Sequence, residues 1–222
     1  MMPSASTHPP TTVAALPIRA GTYLLFARLF REAPTAELLR EIVQQRLLSN
    51  ADPRWPQQAE AIAVEFARLF AVPGEQAVRP YESVYCDSLT IDMSTACSPY
   101  FESGPQPEGL TGFLHGPSTS SVSEVYRRAG FELDASLHEL PDHLAIELEF
   151  MGQLLARGAQ DHARDFFTQH LGRPARQGNQ EAGGWVFHCV DEIRQEAHPT
   201  GFYRAVADAL AAFLRQDQQP HA

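Results

Sequence analysis

The chain contains no lysine: all 17 of its basic residues are arginines, set against 27 acidic ones for a formal charge of −10. That balance argues against a nucleic-acid backbone as partner, whose binding rests on positive charge, and makes a cationic partner easier to attract. The arginine-only usage carries no functional weight. Cysteine is scarce as well. Cys86, Cys97 and Cys189 are odd in number and form no C-x-x-C pair, so neither a disulfide framework nor a zinc knuckle is expected, and a reducing compartment follows. No apolar run reaches the roughly 18 residues that a membrane-spanning helix needs. Residues 1–17, with Pro3, Pro9, Pro10 and Pro17 among Ser, Thr and Ala, lack a basic start and an apolar core of signal-peptide length. They read as a disordered tail, and the protein as soluble and cytoplasmic.

Nucleotide and hydrolase signatures are missing too: there is no G-x-x-x-x-G-K-[ST], no G-x-G-x-x-G and no G-x-S-x-G. Strand signals are almost absent. What remains is helical periodicity, and at 222 residues the chain is long enough to bury a core without staples. Apolar residues recur at helical spacing from Arg19 to Glu32 and from Thr35 to Leu48, which predicts two antiparallel helices separated by Pro34. A third runs from Pro56 to Phe70, turning Ile62, Phe66, Leu69 and Phe70 inward before Pro73-Gly74 ends it. Residues 80–86 (Pro-Tyr-Glu-Ser-Val-Tyr-Cys) read as an aromatic-rich connection. Its two tyrosines either line a groove or pack with their hydroxyls bonded, and sequence alone leaves both open.

Residues 99–117 hold four prolines and four glycines, too many for a regular element. They are expected to form a long crossover loop, mobile or protease-sensitive, that divides an N-terminal helical half from a C-terminal one; a hinge or domain swapping would sit there. Helix resumes from Ser118 to Gly130, with Ser121 and Glu124 in capping-box spacing and Gly130 at the C-terminal end. Further helices are expected over His162–Leu171, Trp185–Glu196 and Thr200–Arg215. The expected fold is therefore all-α, one multi-helix domain over residues 18–217, with two helical halves as a variant.

The stretch Leu140–Met151 is the best specified of all. Proline is tolerated at a first helical position because its missing N–H would be unpaired there in any case, and Asp142 would then sit where the helix dipole favours an anion. Leu144, Leu148, Met151 and Leu155 make one apolar stripe, and Ile146, Phe150 and Leu154 a second, which is the pattern of a central helix. Its start is expected to be exposed and to carry Asp142 beside His143, the one side-chain type whose ordinary titration falls near neutral pH.

Three constellations imitate an active site. His143 and Glu147 are four apart, but His138-Glu139 precedes them at the wrong spacing for H-E-x-x-H. Glu147, Glu149, Glu192 and Glu196 lack the repeated E-x-x-H of a di-iron bundle. His188 and Cys189 are adjacent on a helix and point apart. No catalytic residue, metal ligand or cofactor is assigned.

Tyr126-x3-Gly130, then Pro141-Asp142-His143 and Glu147-Leu148-Glu149-Phe150-Met151, resembles the central signature of the TorD/DmsD/NarJ-type redox-enzyme maturation chaperones. Glu65-Phe66-Ala67-Arg68-Leu69-Phe70, Pro73-Gly74 and Pro80-Tyr81-Glu82-Ser83-Val84-Tyr85 match in order and spacing, and the likeness spans about residues 20–215. The chain departs from the family in its 99–117 loop. The resemblance implies an all-helical cytoplasmic chaperone, monomer or dimer. Its client would be the twin-arginine leader, with or without the apo-form, of a molybdenum-cofactor oxidoreductase precursor. It places leader recognition on Asp142 and His143. Physically, two guanidiniums followed by an apolar run call for carboxylates beside an aromatic groove. Glu82 is the candidate for the second arginine, with Tyr81, Tyr85 and Phe70 covering the apolar run. A metal-dependent helical enzyme and a generic helical scaffold are the competing readings.

Overall fold

A computed structural model describes residues 18–89, 110–111, 114–133, 139–176, 184–197 and 201–218. The expected tail at 1–17, residues 99–109 and 112–113 of the expected loop, Cys97 and His138 lie outside these. The elements are α1 (Ile18–Arg31), α2 (Ala36–Gln45), α3 (Ala59–Phe66), α4 (Glu82–Cys86), α5 (Pro117–Arg128), α6 (Leu144–Ala156), α7 (Gln160–Phe166), α8 (Trp185–Glu196) and α9 (Phe202–Asp217). A 3-10 turn, Trp55–Gln58, leads into α3, and single π turns, Ala67–Ala71 and Phe167–Leu171, extend α3 and α7. Among the described residues the fold is all-α apart from one antiparallel pair of two-residue strands, β1 (Ser88–Leu89) and β2 (Leu110–Thr111).

Helix α6 occupies the centre because it has two apolar faces. Ten of its thirteen residues are buried, including every member of both stripes. Helix α1 packs along it, and Gly152 makes that approach possible: a Cβ there would lie 2.7 Å from a Leu24 methyl and 3.2 Å from the Ala20 carbonyl. On another side, Phe150 meets Tyr126, Phe131 and Phe166 with ring centroids 4.7–5.2 Å apart. Each such side chain, moved fully out of water, contributes roughly 1.5–3 kcal/mol. Helix α8 packs on α9, and α9 returns to α1, where the Tyr23 hydroxyl donates to Asp217 Oδ2 at 2.7 Å. Buried residues of all these helices form one hydrophobic cluster.

Several boundaries differ from the sequence reading. Residues 82–86 are a short helix rather than a connection. Pro117 is the first residue of α5, and Leu110–Thr111 are paired with Ser88–Leu89, so part of the expected loop is regular. No capping box forms at Ser121 and Glu124. Instead Asp87 accepts from the Ser118 N–H at 2.8 Å and hydroxyl at 2.7 Å, while Glu124 pairs with Arg127 and Arg128. Gly130 does close α5 with φ +64°, a conformation that glycine adopts without penalty.

Candidate functional site at the start of the central helix

The start of α6 is welded to the start of α4. Leu144 N–H donates to the Pro80 carbonyl at 2.8 Å, Glu82 N–H to the Asp142 carbonyl at 3.0 Å, and Ser83 N–H to Asp142 Oδ2 at 2.9 Å. The helix begins three residues later than the sequence suggests, at Leu144 rather than Pro141. His143 is its cap: its ring Nδ1 accepts from Ala145 N–H at 3.1 Å, which leaves the ring hydrogen on Nε2. The delay has a cause. Asp142 and the backbone around it are committed to Pro80–Ser83, so the chain cannot turn helical until that pairing ends.

The expected exposure of this helix start is not observed. Asp142 is 0 % exposed and His143 5 %. One Asp142 oxygen holds Ser83, and the other, Oδ1, is buried without a hydrogen-bond partner among the described residues. Burial pushes the His143 ring down to about 4, a shift that Arg31 adds to and that Glu139 and Asp142 oppose. His143 is therefore neutral at physiological pH and does not titrate there. At the rim lies Tyr81, half-buried, with its ring edge-on to His143 at 4.9 Å and its hydroxyl donating to exposed Glu139 at 2.5 Å. Burial and Glu139 hold the Tyr81 phenol above its ordinary range.

The six residues singled out from the sequence do not form one surface. Tyr81, Asp142 and His143 meet. Glu82 belongs to the same junction but faces inward, fully buried, with His170 Nδ1 and Arg173 Nη1 each 2.8 Å from its oxygens, so its charge is answered by an arginine of this chain. Tyr85 lies one turn further along α4, stacked on Trp185 at 5.6 Å with its hydroxyl donating to Glu192 at 2.7 Å. Both tyrosine hydroxyls are thus bonded. Phe70, in the π turn after α3, packs in a different cluster with Phe30, Phe66 and Tyr203. Sequence reasoning missed Glu139 as the rim acid and missed Arg173 and His170 as partners of Glu82. No local pattern announces pairs 58 to 91 residues apart.

The active-site imitations find other uses. Glu149 pairs with Arg31, joining α1 to α6, and Cys86 and Cys189 are buried free thiols. Among the described residues no group of His, Cys, Asp and Glu side chains could hold a metal, and no helix is long and apolar enough to cross a membrane.

Comparison with known proteins agrees with this architecture. The family model described as nitrate reductase delta subunit matches residues 31–177. The chain is 27% identical to the chaperone protein TorD of Aliivibrio fischeri over 82% of this chain and 86% of that one, and 28% identical to TorD of Aeromonas salmonicida over 83% and 69%. A solved structure, that of a putative redox enzyme maturation protein from Archaeoglobus fulgidus, superposes with a TM-score of 0.53 at 18% identity, covering 93% of this chain and 99% of that one. The chain belongs to the nitrate reductase delta subunit family, the TorD-type group of all-helical proteins. The relatives named above carry the name of chaperone proteins.

Proposed function

We propose that the protein is a cytoplasmic chaperone that binds the twin-arginine leader of a molybdenum-cofactor oxidoreductase precursor and assists its folding and cofactor insertion before export. Its relatives bear the chaperone name over most of the chain's length, which supports the general role. The observation that carries the finer reading is Asp142, a carboxylate with one oxygen committed to Ser83 and the other without a partner among the described residues, beside exposed Glu139. A guanidinium matches a carboxylate in a planar fork and satisfies such an oxygen. It reaches Asp142 when Tyr81 leaves Glu139, and Glu139 is then free for the second arginine. His143, neutral and fixed as the α6 cap, orients Asp142. The net charge of −10 draws the leader in.

Calorimetric titration of wild type and Asp142→Asn against a leader peptide and its double-glutamine version is the test. Asp142→Asn weakens binding of the arginine leader by roughly 1.5–3 kcal/mol, the range for hydrogen bonds to charged groups, and affects the glutamine leader much less. Strictly additive effects with an intact fold overturn the assignment of the arginine pair to Asp142.

A further inference from the structure

Beneath Asp142 lies a buried acid that the leader site leaves unused. Glu147, one turn into α6, is 0 % exposed, and among the described residues neither of its carboxyl oxygens meets a donor; the polar group in its reach is the Glu82 carboxylate, to which Glu147 hydrogen-bonds only when protonated. The groups that face it come from every element packed there: Glu82 and Cys86 of α4, Asp142 of the preceding turn, Tyr126 of α5, and Arg173 beyond α7, with His170 against Glu82. Among these described residues Arg173 is the one permanent cation. It is already engaged, 2.8 Å from Glu82 and 3.7 Å from Asp87. An ionised carboxylate with no donor, buried against two other carboxylates, costs several kcal/mol, so the group takes up a proton instead. Burial first, then Glu82 and Asp142, hold the Glu147 carboxyl well above the usual range.

We propose that Glu147 is a positioning residue for the leader site, coupled to it through the neighbouring Asp142, and that a guanidinium docked on Asp142 drives part of the Glu147 proton off into the solvent. The inference rests on the leader reading above. The incoming cation neutralises Asp142 and removes one of the two repulsions that favour neutral Glu147. The O–H bond of Glu147 then breaks with its electron pair left on the carboxylate, and the proton passes to the buffer. Because docking releases protons, leader affinity rises with pH across the range in which Glu147 titrates.

The test is calorimetric titration of the full chain with a synthetic twin-arginine leader peptide, in buffers of equal pH and different ionisation enthalpy. The slope of observed heat against ionisation enthalpy counts protons. A fraction of one proton is released per leader bound to wild type, and none with Glu147→Gln, which keeps a neutral group of the same shape and still binds. Glu147→Met is the second variant, should the amide misfold. Leader binding without proton release at any pH at which the protein stays folded, or release unchanged in the variants, overturns the linkage and leaves the leader reading standing. If the leader does not bind, that reading fails. The Asp142–Glu147 coupling is then decided by thermal midpoints against pH for Asp142→Asn, Glu147→Gln and the double variant. A stability loss with rising pH that Glu147→Gln removes and Asp142→Asn reduces supports it, and strictly additive profiles overturn it.

Discussion

Asp142 accepts the backbone N–H of Ser83 at 2.9 Å, so a carboxylate 59 residues further along the chain caps a helix that has no side-chain cap of its own. Asp87 does the same for α5, across 31 residues, through Ser118. Two helix starts therefore depend on tertiary contacts, and both lie at the junction that carries the candidate site.

Removing the first of these caps separates structure from recognition. Asp142→Ala leaves the Ser83 N–H buried without an acceptor and destabilises the fold by roughly 1–3 kcal/mol, whereas Asp142→Asn keeps an acceptor and stays close to wild type. Urea unfolding measures both. Equal stability of the alanine variant and wild type would show that the cap contributes nothing.

Gly116→Ala disrupts the second cap from the other side. A Cβ on residue 116 would lie 2.0 Å from Asp87 Oδ2, so Asp87 must leave Ser118 or the turn must shift. The expected cost is about 1–3 kcal/mol, and it is less than additive with Asp87→Ala because both changes remove the same contact. Thermal unfolding of the single and double variants reads the coupling.

Acid stability reports on His143. Its folded value, lowered to about 4, lies below the ordinary 6.5, so the ring is buried neutral. The stability this confers is fully present above about pH 6.5 and is lost as pH falls towards about 4, on the order of 3 kcal/mol in all. His143→Asn preserves a capping acceptor and does not titrate, so its acid limb should be shallower. Parallel acid limbs for the two proteins would place the proton uptake elsewhere.

Phe150→Ala removes a ring packed against Tyr126, Phe131 and Phe166 and should cost roughly 3–5 kcal/mol. Leu148→Ala should cost about 2–5 kcal/mol at a site equally closed to solvent. An unchanged thermal midpoint in either would contradict the central position of α6.

Tyr81→Phe tests the rim. It keeps the ring against His143 and loses only the bond to Glu139, worth about 0.5–1.5 kcal/mol. If Tyr81 must leave Glu139 before a guanidinium enters, the variant binds the leader roughly two- to tenfold more tightly. Weaker binding would mean that the hydroxyl contacts the leader instead of guarding the site.

Local pattern alone determined most of the helices and the centre of the fold, though not the short helix α4. Periodic apolar spacing placed α1, α8 and α9 to within two residues, and the double stripe of Leu144–Leu155 marked α6 as buried on both sides, because burial on two faces needs apolar residues on two faces. The motifs around Pro80–Tyr85 and Pro141–Met151 identified the family. What the sequence could not convey is where its charges go. Asp142 looked like an exposed helix-start anion and is a buried cap for α4; His143 looked titratable and is held neutral; Glu82 looked free and is matched by Arg173 and His170. A hydrophobic face follows from spacing along one helix. The solvation, pairing and protonation of a polar group depend on which distant segments the fold brings against it, and only the tertiary structure decides that.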